Sequence, residues 1–368
     1  MTAAAKSYFR YHLRSKWKLL ICLTAIALVL TLLFASGQKD SWTYYDDNFM
    51  NEITRVNYEW TVGNSVFILI VCSAILPVTE FSIFKKRRNL DCIYGLPVTR
   101  KELGIIHYIT GLICLFVPFT LAYLLNSLLM LRYPEGFVFS PLIGYYFVSI
   151  LLAWCAYSLN VFAFNQANTT GDGIWFMILW NLLAWTILTV VNEVSPSIFG
   201  EREIQYGGYI GVEPVFEIPN IDMSIYWGAQ LEIQAIYENV VEKFDDTTLW
   251  KFWGDPAYVS WLIPWAVIGI ASVLVFFFSF GKRRTEKTEE VSDSWFGFKV
   301  LIPLYAITLL IGSGGAAIIV VLILAFVGYL IYRRGFHLKL SDWLVLGGTL
   351  PTGVLMMIIM VLIERCYK

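Results

Sequence analysis

Charge is scarce in this 368-residue chain: Asp, Glu, Lys and Arg make up 15% of it, where soluble domains carry roughly 25%. The net charge is −1 and no broad basic face stands out, which argues against a nucleic-acid partner. No Gly-x-x-x-x-Gly-Lys-Ser/Thr loop occurs, so the usual cradle for nucleotide phosphates is missing. The six cysteines include none in 192–260 and no Cys-x-x-Cys pair, which excludes a disulfide framework and that zinc pattern. Internal repeats and low-complexity tracts are absent. The basic N-terminus is not followed by a small-residue cleavage site, so no cleavable signal peptide is expected.

Apolar residues fill that space. They form 58% of the chain, aromatics 17%, and the mean hydropathy is +0.63. Several windows reach the 18 or more residues needed to cross a hydrocarbon core of ~30 Å. Nine spans are predicted, at about 19–35, 62–78, 105–130, 142–164, 174–191, 261–280, 300–311, 316–332 and 343–363. The seventh and eighth come from one apolar stretch, 299–332, which as a single helix would be about 50 Å long. Gly312-Ser313-Gly314-Gly315 supplies a turn in its middle, giving two short helices in a hairpin, with a re-entrant pair as the alternative. Lys and Arg set the orientation. With the N-terminus inside, 19 of the 27 fall in 1–18, 79–104, 165–173, 281–299 and 333–342. Nine crossings put 364–368 outside.

The spacing of Phe9, Leu13, Trp17 and Leu20 predicts an amphipathic interfacial helix over 1–18, with Lys6, Arg10, Arg14 and Lys18 toward anionic headgroups. The loop 192–260 is acidic, with 12 Asp and Glu against three basic residues, and an amphipathic helix is expected near 233–244. The acidity reads as a solvated loop ahead of a site for cationic substrate. Within the spans, Asn126, Asn160 and Asn181 are candidates to line a path, although interhelical packing accounts for each more simply.

The segment 80–112 is a polar, basic island between two apolar runs and holds six of the chain's Lys and Arg. Glu80 closes the second span within a turn of the hydrocarbon, so a partner is expected for it. Leu90, Ile93 and Tyr94 give a short helix one apolar face. Gly95 ends that helix and Pro97 prevents its continuation. Thr99-Arg100-Lys101-Glu102 matches a capping box that opens the third span.

Glu80, the basic cluster and Leu90-Asp91-Cys92-Ile93-Tyr94-Gly95-Leu96-Pro97-Val98-Thr99-Arg100-Lys101-Glu102 resemble the coupling-helix region of type-2 ABC exporter permeases. That family's loose pattern is a Glu after the second span, then a Leu-Pro-(Val/Ile)-(Ser/Thr)-Arg turn opening the third. The Lys282–Glu289 linker and the stretch 328–336 resemble Gram-positive members with extra C-terminal spans, of the kind found in cell-envelope stress and acetoin-utilisation type operons. The resemblance implies an all-α polytopic membrane protein of the bacterial plasma membrane with a cytoplasmic N-terminus. Its parts would be a six-helix core over 19–280, with coupling loop 79–104 and extracellular loop 192–260, then a cytosolic linker 281–299 and about three further spans in 300–368. It implies a cytosolic ATPase dimer that binds ATP and Mg, and a second permease chain, the same or a paralogue. This chain would hold no cofactor or metal and no catalytic residue. Leu90, Asp91, Ile93 and Tyr94 would touch the ATPase, Pro97, Thr99, Arg100 and Glu102 would shape the coupling turn, and Glu80 would belong to a charged belt near the gate. An amphipathic or hydrophobic cargo, a peptide, antibiotic or lipid, would move outward.

Two alternatives remain at this stage. One is ATP-coupled sensing of an antimicrobial peptide without bulk transport. The other is a membrane-embedded acyltransferase using the His-x4-Asp spacing of His337 and Asp342, which nothing else in the chain accompanies; only three His exist, and His107 reads as a packing or hydrogen-bonding residue.

Overall fold

In the computed structural model, the described residues are 2–36, 41–45, 52–56, 59–130, 139–199, 201–206, 209–214, 262–282, 288–290, 292, 294, 296–312, 318–333, 335–336 and 338–367. The expected helix near 233–244 and His337 lie outside them. The helices are α1 (Ala3–Ser36), α2 (Glu59–Phe81), α3 (Arg87–Tyr94), α4 (Arg100–Met130), α5 (Phe139–Gln166), α6 (Thr170–Phe199), α7 (Leu262–Lys282), α8 (Phe298–Gly312), α9 (Ile318–Arg333) and α10 (Leu340–Tyr367). A short 3-10 turn, Ser82–Lys85, joins α2 to α3. Among the described residues the strands form two antiparallel pairs, β1 (Ser41–Tyr45) with β2 (Glu52–Val56) and β3 (Glu201–Tyr206) with β4 (Tyr209–Pro214).

Every predicted span overlaps a helix. Among the described residues, five helices are long and apolar enough to cross a membrane: α1, the α2 segment from Phe67, α4, the α5 segment from Tyr146, and α7. This is an α-helical, multi-pass membrane protein. The 299–332 stretch is indeed two helices, of 15 and 16 residues. At 1.5 Å per residue they reach roughly 22–24 Å, short of a ~30 Å core.

One expectation is corrected. α1 runs unbroken through 34 residues, so the basic 1–18 segment and the first span are one helix rather than an interfacial helix followed by a span. No Gly or Pro between Lys16 and Leu23 interrupts it. Lys6, Arg10, Arg14 and Lys18 are exposed along one side, while His12 is buried on another.

The chain divides into two compact units. The first comprises Met1–Ile83, Arg88–Phe162 and Ile221–Arg283. Here α4 is the central helix, packed against α1, α2 and α7. Thr2 bonds to Glu102 and Tyr8 to His107, so α1 and α4 run parallel from one end. The end of α7 reaches the same end, with Gly281 against the Lys101 side chain and Gly104 against Phe280. This agrees with the odd–even order of spans expected from the sequence.

Gly111 of α4 makes room for the Tyr157 side chain of α5. A Cβ added at Gly111 would collide with the hydroxyl of Tyr157, which is fully buried. Gly111→Val is expected to cost about 1–3 kcal/mol by overpacking, read from unfolding of the purified chain in mixed micelles; an unchanged midpoint would show that the two helices separate there at no cost.

The second unit comprises Phe84–Arg87, Ala163–Asn220 and Arg284–Lys368. Its core gathers Phe176, Leu183, Phe298, Leu301, Tyr329 and Tyr332 from α6, α8 and α9, with Leu346 of α10. Arg333, the last residue of α9, grips Asp342 in α10 through two bonds of 2.7 and 2.8 Å.

Candidate functional site

The first unit buries a charged cluster where α1, α2 and α4 meet. Glu80, 1% exposed, lies in the last turn of α2. Its Oε2 lies 2.9 Å from His12 Nε2 of α1 and 3.2 Å from His107 Nδ1 of α4. Its Oε1 forms an ion pair, without hydrogen-bond alignment, with Lys16 Nζ at 2.9 Å. Lys16 also donates to the carbonyl of Thr79 at 3.2 Å. Tyr8 lies 3.3 Å from His107 Nε2.

Hydrogen-bond logic assigns the protons. A carboxylate only accepts, so His12 donates from Nε2 and His107 from Nδ1. A neutral His107 then accepts at Nε2 from the Tyr8 hydroxyl. The His12 and His107 rings lie 4.1 Å apart between centroids, their planes tilted by 51°, and Phe81 flanks His107 at 6.1 Å. Such ionisable residues in a spanning bundle are costly and mark function by default. The partner expected for Glu80 is thus three partners on two helices. Tyr8, His12 and Lys16 repeat at i, i+4, i+8, a polar stripe overlooked beside the more obvious stripe of exposed cations. That spacing was the available signal. Their meeting with Glu80 and His107 had none, because it is tertiary.

The segment beyond Glu80 has the local shape expected. α3 is a two-turn helix; the Gly95 amide bonds back to the Asp91 carbonyl at 3.1 Å and the Leu96 amide to that of Ile93 at 3.3 Å. Pro97 is exposed beyond them. The capping box forms: the Thr99 amide donates to Glu102 at 3.3 Å, the Glu102 amide to the Thr99 hydroxyl at 3.3 Å. The Thr2 amide adds a 2.7 Å bond to Glu102, tying the start of α1 to the start of α4. Arg100 lies 4.6 Å over the Tyr94 ring, a cation–π contact that braces α3 on α4.

The apolar face of α3 is corrected. Leu90 and Ile93, expected to contact a partner, are each only 6% exposed, so they pack within the chain. The free face carries Arg88, Asp91 and Cys92, with Tyr94 half-buried.

In the second unit three segments predicted to share one side of the membrane are stitched together. Lys85, 1% exposed, donates to the Ala167 carbonyl at 2.5 Å and lies 4.5 Å over the Phe164 ring. Arg87 reaches the Thr288 carbonyl at 2.8 Å, and its amide donates to Glu289 at 3.1 Å. Ser292 accepts from the Asn168 amide at 2.8 Å and donates to Asp172 at 2.6 Å. Glu289 holds a φ of 69°, a left-handed conformation for a residue with a side chain.

The three asparagines divide. Asn160 is buried and donates to the Ser73 carbonyl at 3.2 Å, tying α5 to α2. Asn181 donates to Met177 in its own helix at 2.8 Å. Asn126 is buried. Asp342, half of the considered His–Asp pair, has its carboxylate occupied by Arg333 and by the Lys339 amide at 3.1 Å. An apolar cavity of about 420 Å³ lies in the second unit between α6, α8 and α9, lined by Trp175, Leu179, Tyr305, Leu309, Leu324 and Gly328. No family model matches the sequence, no curated protein matches it, and no solved structure matches the fold.

Proposed function

We propose that the chain is the membrane subunit of an ATP-driven exporter of the type-2 ABC kind, moving an amphipathic or hydrophobic cargo outward. One observation carries the reading: a two-turn helix, Arg87–Tyr94, stands between the second and third spans and is joined through a sharp break to the capped start of the third. A cytosolic ATPase dimer would seat the exposed side of that helix, around Arg88, Asp91 and Cys92. Two permease chains, the same or paralogous, would enclose the path.

The supporting mechanics follow from rigidity. Two turns of helix, a cation–π brace and a capping box leave little slack between α3 and α4. A push on α3 therefore moves the start of α4, and α4 touches α1, α2 and α7. The Glu80 cluster joins α4 to α1 and α2 two turns into the helix, so the three move as one body. The ATP chemistry, with Mg, would belong to the partner, and this chain supplies the moving helices.

Reconstitution tests this. The purified chain should show no ATP hydrolysis alone. It should form a stable complex with an ATPase bearing the Gly-x-x-x-x-Gly-Lys-Ser/Thr loop, encoded beside it, whose turnover depends on the chain. Hydrolysis by the chain alone, or turnover of that ATPase indifferent to its presence, would contradict the proposal.

A further inference from the structure

We infer that His12, Glu80 and His107 form a binding site for a divalent first-row transition metal, with zinc as the representative ion. The inference rests on the geometry of these side chains and does not depend on the transport reading. One ligand-capable atom from each residue lies within 4.8 Å of the other two, and all three residues are buried. The nitrogen–oxygen separations of 2.9 and 3.2 Å approach the edges of a tetrahedral zinc site. Bonds of about 2.0–2.2 Å place neighbouring ligands roughly 3.3 Å apart. Two imidazoles and one carboxylate suit zinc and ferrous iron rather than magnesium or calcium, which prefer oxygen alone.

The surroundings fit a metal site as well. Metal-bound histidines are held by a partner on the other ring nitrogen. Tyr8 lies at that nitrogen of His107. Lys16 occupies Oε1 of Glu80, leaving Oε2 to ligate alone. The ligands come from three helices, so an ion here fixes α1 to α2 and α4.

Proton balance is simple. An imidazole that binds in its neutral form only has to change tautomer. The His12 proton moves from Nε2 to Nδ1, and that of His107 from Nδ1 to Nε2, where the Tyr8 oxygen accepts it. No redox step and no net proton release are required.

Charge gives the proposal its sharpest consequence. Glu80 is already balanced by Lys16. A divalent ion therefore enters against the ammonium, and Lys16 limits its affinity. Removing Lys16 would weaken a purely protein-built lock, but it should strengthen a metal site.

The test uses the purified full chain in nanodiscs, with Zn²⁺ titrated against a chromophoric chelator and Co²⁺ followed by its visible d–d absorption. One Zn²⁺ per chain is expected, and a Co²⁺ band of low-symmetry coordination. His12→Gln and His107→Gln should each weaken binding by more than ~100-fold and Tyr8→Phe by ~10-fold, as for ligands and their supporting partners. Lys16→Met should tighten binding by ~10-fold or more, because it removes a like charge from a low-dielectric site. The gain counts only where Lys16→Met keeps the wild-type Co²⁺ band and one Zn²⁺ per chain, and read that way this variant stands even if a histidine variant fails to fold. Equal Zn²⁺ binding by the wild type and both histidine variants, no Co²⁺ d–d band, or unchanged or weaker binding by Lys16→Met would each overturn the site.

Discussion

Glu80→Gln is expected to lower stability by about 3–5 kcal/mol, the range seen when one partner of a buried ion pair is removed. The substitution is nearly isosteric, so packing is kept and charge alone is lost. Lys16 is left with a side chain 21% exposed and no counter-charge, and His12 and His107 lose the carboxylate oxygen they share. Glu80→Gln combined with Lys16→Met separates charge from shape. Replacing a whole buried pair by apolar groups is often near neutral, so the double variant should recover much of the loss. Unfolding in mixed micelles across this cycle reads the coupling directly. Additive losses would mean that Glu80 and Lys16 contribute independently.

The second large effect separates the two faces of α3. Leu90→Asp and Ile93→Asp place a charge where the native side chains are 6% exposed, and each should destabilise the chain by more than ~4 kcal/mol, in the class of buried unpaired charges. Asp91→Lys and Cys92→Arg alter only the exposed side. They should leave the melting midpoint unchanged while weakening ATPase binding by ~30-fold or more, as expected for central interface residues. Loss of the ATPase from the Leu90 or Ile93 variants would carry no weight by itself, since those chains are damaged. An intact complex from Asp91→Lys with Cys92→Arg would place the ATPase elsewhere.

The local features of this chain were legible in its sequence, and the tertiary ones were not. Hydrophobic runs located all nine apolar segments, and 299–332 holds two helices, Phe298–Gly312 and Ile318–Arg333, while the expected turn at 313–315 lies outside the described residues. The break after Tyr94 and the Thr99–Glu102 box could be read because each partner lies within four residues of the other. The apolar face of α3 was readable too, but amphipathicity says only that a face is covered. The cover is the chain's own interior. Glu80 announced itself as a charge at the hydrocarbon edge, yet its partners His12 and His107 stand 68 and 27 positions away. No short-range pattern links them. The continuity of α1 was available in the absence of any breaker before Leu23, and the regular spacing of exposed cations obscured it.

The central claim is that an ATPase sits on the exposed side of Arg87–Tyr94, and native Cys92 on that side offers the most direct measurement. In a chain retaining Cys92 as its sole cysteine, a short thiol-to-amine cross-linker should join it to the co-expressed ATPase. The product, identified by mass spectrometry, should change in yield when ATP closes the ATPase pair. Cys92 that reacts fully with a membrane-impermeant thiol reagent from outside intact cells, or that gives no ATPase adduct in the purified complex, would contradict the account.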